Sequence, residues 1–154
     1  MKIFFDAEFY ENGKTIELIS IGMVREDGAT LYFETSEAPE LCAQDIWLMK
    51  NVFPHLRQTW TQKAVIRSAI VNFVGDKPDF WAYYADYDWI ALCQLFGRMI
   101  DLPATWPMFC MDIKQLAVMK GDPELPKQKS VEHNALNDAL WNKKCWEFLN
   151  KLVG

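Results

Sequence analysis

Asp6 and Glu8 stand two residues apart in Lys2-Ile3-Phe4-Phe5-Asp6-Ala7-Glu8, a β-prone run. Successive side chains of a strand point to opposite faces, so these two carboxylates share a face, about 7 Å apart along the chain, and can share a cation. A lone Asp-x-Glu is more often a solvent-facing strand edge with two ordinary acids. The setting weighs the other way, because the run is strongly apolar and should be a central strand, where an unpaired carboxylate costs several kcal/mol. A second pair, Asp86 and Asp88, lies in Tyr84-Ala85-Asp86-Tyr87-Asp88-Trp89, where an apolar strand ends and an apolar helix begins. Acids favour helix N-termini, and capping accounts for Asp86; Asp88, about one turn in and beside aromatic residues, is harder to dismiss. A third stretch, His133-Asn134-Ala135-Leu136-Asn137-Asp138, opens the last helix. Asp138 falls at the edge of its apolar stripe, where an acid tends to have a partner. His133, five positions earlier, is not stacked on the same helical face and must lean in from the first turn or the preceding loop. Taken alone, it reads more readily as a capping or surface histidine.

The elements that must position these groups follow in a legible order. Residues 2–8 form a strand, the Asn12-Gly13 turn leads through Thr15–Val24 as a hairpin into a second, and Asp27-Gly28 turns into a third near 30–35. Residues 39–52 read as a helix. A clearer one spans 61–74, with Ile66, Ala69, Ile70, Phe73 and Val74 on one stripe behind Thr61 as a cap. Phe80–Tyr84 is a buried strand, and Tyr87–Phe96 is apolar nearly all round, as in a buried helix that Gly97 closes. A short strand near 107–111, a helix near 112–119, a Pro/Lys-rich loop over 121–130 and a helix over 134–151, striped by Ala135, Leu136, Ala139, Trp146, Leu149 and Val153, complete the chain. Three strands followed by alternating helices and strands predict an α/β fold: a mixed sheet, its three N-terminal strands antiparallel and the others parallel, flanked by helices.

Composition bounds the rest. About half the chain is apolar and 14% aromatic, enough for a substantial core in one domain spanning 1–154. No segment approaches the roughly 20 uninterrupted apolar residues needed to span a bilayer. The N-terminal apolar stretch is cut at once by Asp6 and lacks a small-residue cleavage site, so a cytoplasmic protein is expected. Cys42, Cys93, Cys110 and Cys145 are far apart without a CxxC pair, which argues against a zinc knuckle or a disulfide framework. A net charge of −5 argues against a broad basic face for nucleic acid. Formal charge omits bound cations, however, and two divalent ions in an acidic cleft would reverse the field where a phosphate must sit.

Asp-x-Glu on the first strand, Tyr87-Asp88 at a mid-chain strand–helix junction and His133-x4-Asp138 on the last helix together resemble the three motifs of DEDDh exonucleases. Phe5-Asp6-Ala7-Glu8-Phe9, Thr15–Gly22, Tyr87-Asp88 and Ala91–Leu95 look more narrowly like the RNase AS type, compact bacterial exoribonucleases acting on adenylate tails, from residue 2 to about 150. The resemblance implies an RNase H-like sheet and 3′–5′ release of nucleoside 5′-monophosphates from RNA with a single-stranded 3′ end. It also implies two Mg²⁺ or Mn²⁺ ions held by Asp6, Glu8, Asp88 and Asp138, with His133 as general base. Oxygen-only ligands suit such hard cations. Phe9 and Trp89 adjoin the ligands in sequence and could stack a base, although core packing is the commoner role for such a Trp; Glu17 could accept from an adenine amino group or simply face solvent. Phe9-Tyr10 replaces the Thr-Thr-Gly that follows the first Glu in many DEDDh enzymes. A DEDDh enzyme acting on single-stranded DNA, or an RNA-binding module without turnover, are the competing readings. The aromatic surplus could also supply a homodimer interface, but no residue marks one.

Overall fold

The computed structural model describes residues 1–152. Strand β1 (Lys2–Glu11) is followed by β2 (Ile16–Arg25) and β3 (Thr30–Thr35), each antiparallel to the strand before it. The β1–β2 turn is built by Asn12, whose side-chain oxygen accepts from the Lys14 and Thr15 amides, and by Gly13 at φ +82°, a conformation that glycine takes without a Cβ penalty. Helices α1 (Ala38–Ala43) and α2 (Ile46–Asn51) and a 3₁₀ turn over Phe53–His55 lead to the two-residue strand β4 (Trp60–Thr61), parallel to β3. Helix α3 (Lys63–Val74) precedes β5 (Asp79–Ala82), which lies parallel to β1, and α4 (Asp86–Gln94) follows. Strand β6 (Met111–Asp112), parallel to β5, runs into α5 (Ile113–Met119), and a long loop reaches α6 (Ala135–Lys151). The sheet order is β4-β3-β2-β1-β5-β6, so β1 is interior and the sheet is mixed as expected.

Both faces of the sheet are covered, which is why β1 reads as a continuous apolar run rather than an alternation. Phe5 packs with Ile66, Ile70, Phe80 and Leu92 beneath α3 and α4, while Phe4 packs with Ile113, Cys145 and Leu149 beneath α5 and α6. The four cysteines are free thiols. Among the described residues no helix is long and apolar enough to cross a membrane.

Several elements differ from expectation for local reasons. The helix expected over 39–52 is broken because Asp45 is extended (φ −138°, ψ 123°) and caps α2 by accepting from the Leu48 amide. Thr61 does not cap α3; it belongs to β4, and α3 starts at Lys63 with its stripe as expected. Asp86 is the first residue of α4, Ala85 taking the cap position. That helix is not buried all round, since Tyr87 and Ile90 are exposed. The strand expected near 107–111 is confined to Met111–Asp112, and Val153 of the α6 stripe lies outside the described residues.

Candidate active site

The face of β1 that carries Phe4 also carries Asp6 and Glu8, so both acids point toward α6. Asp6 pairs in register with Gly22 of β2. A Cβ on Gly22 would overlap the backbone of Ala135 and Leu136, so the missing side chain allows the first turn of α6 to sit directly on the sheet. Asn134 caps this helix through the Asn137 amide, and its own amide donates to the His55 carbonyl at 3.2 Å. Asn142, two turns in and 1% exposed, donates to the Phe5 carbonyl at 2.9 Å and fastens the helix to β1. Asp138 is thereby carried to the strand: one carboxylate oxygen from each of Asp6, Glu8 and Asp138 lie within 4.8 Å of one another.

Asp88 arrives from the other side. The Ala85 amide donates to one oxygen of Asp112 at 3.0 Å, while the other Asp112 oxygen caps α5 through the Lys114 and Gln115 amides. This buttress fixes the start of α4, and Asp88 on its first turn accepts from the Ala7 amide at 2.8 Å. Ala7 lies between the two acids of β1, so Asp88 abuts them.

Four acids thus converge where water is scarce. Glu8 is 8% and Asp88 6% exposed, and among the described residues none of the four makes an ion pair with Lys or Arg. Burial, then the Asp88, Glu8 and Asp138 charges, hold the Asp6 carboxyl well above its usual range. Burial, then Asp138 and Asp88, push Glu8 up to about 8. Asp88 is raised to about 7 by burial, the Ala7 amide opposing the shift. Asp138 is also raised by burial, against the pull of the Gln128 amide and the His133 backbone N–H. Two carboxylates ~4 Å apart repel by roughly 4 kcal/mol at an effective dielectric near 20. An all-oxygen donor set that is crowded, buried and uncompensated fits a hard divalent cation.

These acids floor a cleft of about 930 Å³. His133 lines it from the loop before α6, at φ +60°, a strained value for a residue with a side chain. Three contacts hold it there: its N–H donates to Asp138 Oδ2 at 3.0 Å, Asn134 ties the next residue to His55, and its ring meets Trp47 of α2 edge to face at 4.9 Å. Gln128, from the preceding loop, donates to Asp138 Oδ1 at 2.6 Å. Phe9 lines the cleft, edge-on to Tyr87 at 5.8 Å. Trp89 does not reach it. That ring is buried in the core against Phe5 and Phe80, and Tyr87, two residues earlier, faces the cleft instead. Glu17 is exposed on β2 beside a separate small depression near Lys63 and Gln94. The structure therefore unites Asp6, Glu8, Asp88, Asp138, His133 and Phe9, and leaves Trp89 and Glu17 outside.

Gly22, Asp112, Gln128, Asn142 and Trp47 are functional neighbours that sequence reasoning missed. Gly22 carries a signal, a glycine within a strand that marks close backbone approach. So does Asn142, a polar residue on the line Ala135, Ala139, Asn142, Cys145. Gln128 and Trp47 meet the site only through the tertiary fold.

Residues 1–150 match the family described as 3′–5′ exoribonuclease Rv2179c-like domain. The chain is 40% identical over 148 residues, covering 90% of it and 87% of the relative, to the 3′–5′ exoribonuclease Rv2179c of Mycobacterium tuberculosis. Its fold is similar to that of S. pombe Pop2p in a Mg²⁺- and Mn²⁺-bound form (TM-score 0.61, 17% identity, 97% of this chain and 81% of that one). It is also similar to E. coli Exonuclease I in complex with a dT13 oligonucleotide (TM-score 0.68, 13% identity, 97% of this chain and 41% of that one).

Proposed function

This chain belongs to the Rv2179c-like 3′–5′ exoribonuclease family and is a 3′–5′ exoribonuclease, and from that premise we propose that Asp6, Glu8, Asp88 and Asp138 hold two divalent cations, Mg²⁺ or Mn²⁺, with His133 as general base. The observation that carries the proposal is the convergence of Asp6, Glu8 and Asp138 oxygens within 4.8 Å, beside a buried Asp88, with none of the four acids ion-paired to Lys or Arg among the described residues. When bound, such cations offset the charge of the scissile phosphate and lower the pKa of water next to it.

The remaining steps belong to the chain's own groups. His133, placed beside Asp138, accepts the proton of the attacking water at an imidazole nitrogen. Asp138 serves twice, offering an oxygen to the cluster and fixing the His133 backbone through Oδ2. Phe9 and Tyr87 offer ring edges and faces to the terminal base, a contact of about 1–3 kcal/mol in single-strand recognition. Residues 1–154 act in this scheme as one exonuclease domain on RNA with a single-stranded 3′ end, releasing nucleoside 5′-monophosphates. The resemblance to adenylate-directed enzymes supports a preference for 3′ adenylates.

The test is a time course on 5′-labelled single-stranded RNAs ending in adenylate, uridylate or cytidylate runs, beside DNA of matched sequence, with Mg²⁺ or with excess EDTA. Stepwise shortening of RNA in Mg²⁺, fastest from adenylate ends and halted by EDTA, is expected. Unchanged activity in EDTA would remove the metal assignment, and equal rates on DNA would remove the preference for ribose.

A further inference from the structure

The cleft does not end at the carboxylates. Trp141 of α6 forms one of its walls, edge-on to Tyr83 at 5.1 Å, and its indole N–H donates to the Pro126 carbonyl at 2.7 Å, pinning the long loop against the helix. Behind that wall lies a second cavity of about 460 Å³, and Trp141 and Gln128 line both. Their chemistry is opposite. The first is lined by six acids against the single lysine Lys127, whereas the second is lined by Lys129, Lys143 and Lys144 against the single acid Glu147. Lys143 reaches Glu147 at 3.8 Å; Lys129 and Lys144 are exposed and make no ion pair among the described residues. In a chain of net charge −5 this is a local reversal of sign, adjoining the place where the 3′ end must lie.

An RNA whose last phosphodiester sits at Asp6 and Asp138 carries its remaining phosphates away from the cleft. Near the carboxylates that backbone depends on bound cations, but beyond Trp141 it would meet fixed positive charge. The second cavity is within the usual range of ligand sites, roughly 300–1,000 Å³. Its composition, one aromatic ring among lysines, is that of a single-strand track, where rings take bases of any identity and amines take phosphates. We propose that this cavity is the subsite for RNA upstream of the scissile bond, with Trp141 stacking a base and Lys129 and Lys144 contacting phosphates. The proposal rests on the exoribonuclease reading of the adjoining cleft.

The experiment compares a diribonucleotide with an octaribonucleotide of the same 3′ sequence, using wild type and the double variant Lys129→Ala/Lys144→Ala, whose side chains are exposed and form no ion pair among the described residues. For wild type, KM should be several-fold lower on the octanucleotide. The double variant should lose that advantage, with kcat and the dinucleotide KM unchanged. Anisotropy of a labelled octanucleotide in EDTA, read against salt, should show weaker binding and a log–log slope shallower by about 1.4, since each single-strand phosphate that a lysine no longer neutralises reduces the slope by ~0.7. Equal KM for both lengths in wild type, or a variant with wild-type affinity and salt slope, would overturn the subsite. If wild type cleaved neither RNA, the exoribonuclease reading would fail, and the anisotropy arm would still decide the subsite.

Discussion

Asp138 and His133 are joined by a 3.0 Å hydrogen bond, yet they should fail in different ways. His133→Ala keeps the backbone N–H that Asp138 accepts, so the carboxylate cluster survives. Its Mg²⁺-induced rise in melting temperature should stay close to wild type while single-turnover cleavage slows by about 10²–10⁴-fold, the scale of a positioned general base. Asp138→Ala removes both a cluster oxygen and the acceptor that holds His133 at its positive φ, so Mg²⁺ stabilisation and turnover should fall together. A third substitution tests what aims the imidazole. Trp47, half exposed on α2, touches the ring from outside the cleft. Trp47→Ala should lower kcat with little change in KM, and Trp47→Phe should restore most of it, because the contact is aromatic packing of ring on ring, which phenylalanine can also make. If Trp47→Ala has wild-type kcat, the contact does not position the base.

At the scale of elements, the site depends on how closely α6 lies on the sheet. Gly22→Ala inserts a methyl group against the backbone of Ala135 and Leu136, which cannot yield without moving the helix. Overpacking of this kind costs about 1–3 kcal/mol. Since Asp138 rides on the same turn, the variant should lose Mg²⁺ affinity beyond its loss of stability, read by melts with and without Mg²⁺; a variant that binds Mg²⁺ as wild type does would show that α6 can reseat. Much of this arrangement was legible in the sequence because its signals are periodic and local. The two-residue repeat put Asp6 and Glu8 on one face, and the stripe of α6 put Asp138 at the boundary of the core. Asp88 was undecided locally because its partner, the Ala7 amide, is 81 residues away. Trp89 was hidden for a related reason: its position two residues after Tyr87 turns it about 200° around the helix, from cleft to core, a direction that only packing fixes. The break at Asp45 turned on a capping residue inside an otherwise helical pattern, which α2 uses to bring Trp47 to His133.

For the whole molecule, the buried acids are a stability liability that a cation should relieve. Raised carboxyl pKa values mean that the folded protein holds protons which the unfolded chain, with values near 4, has released. Their contribution is full below about pH 4 and is lost as pH rises through the folded values, about 7 for Asp88 and about 8 for Glu8. Between these limits the metal-free protein binds more protons folded than unfolded, so alkalinity destabilises it. Under the proposed assignment, divalent cations would bind the ionised cluster of the folded state and cancel that loss, increasingly so at higher pH. The most direct measurement is the melting temperature of wild type from about pH 5 to pH 9, in EDTA and in saturating Mg²⁺, beside Asp6→Asn/Asp138→Asn. The metal-free wild type should melt at progressively lower temperature as pH rises, Mg²⁺ should remove most of that fall, and the double variant should show a shallower fall and little response to Mg²⁺. A wild-type melting temperature indifferent to Mg²⁺ at pH 8 would contradict the assignment of these four carboxylates as a cation site.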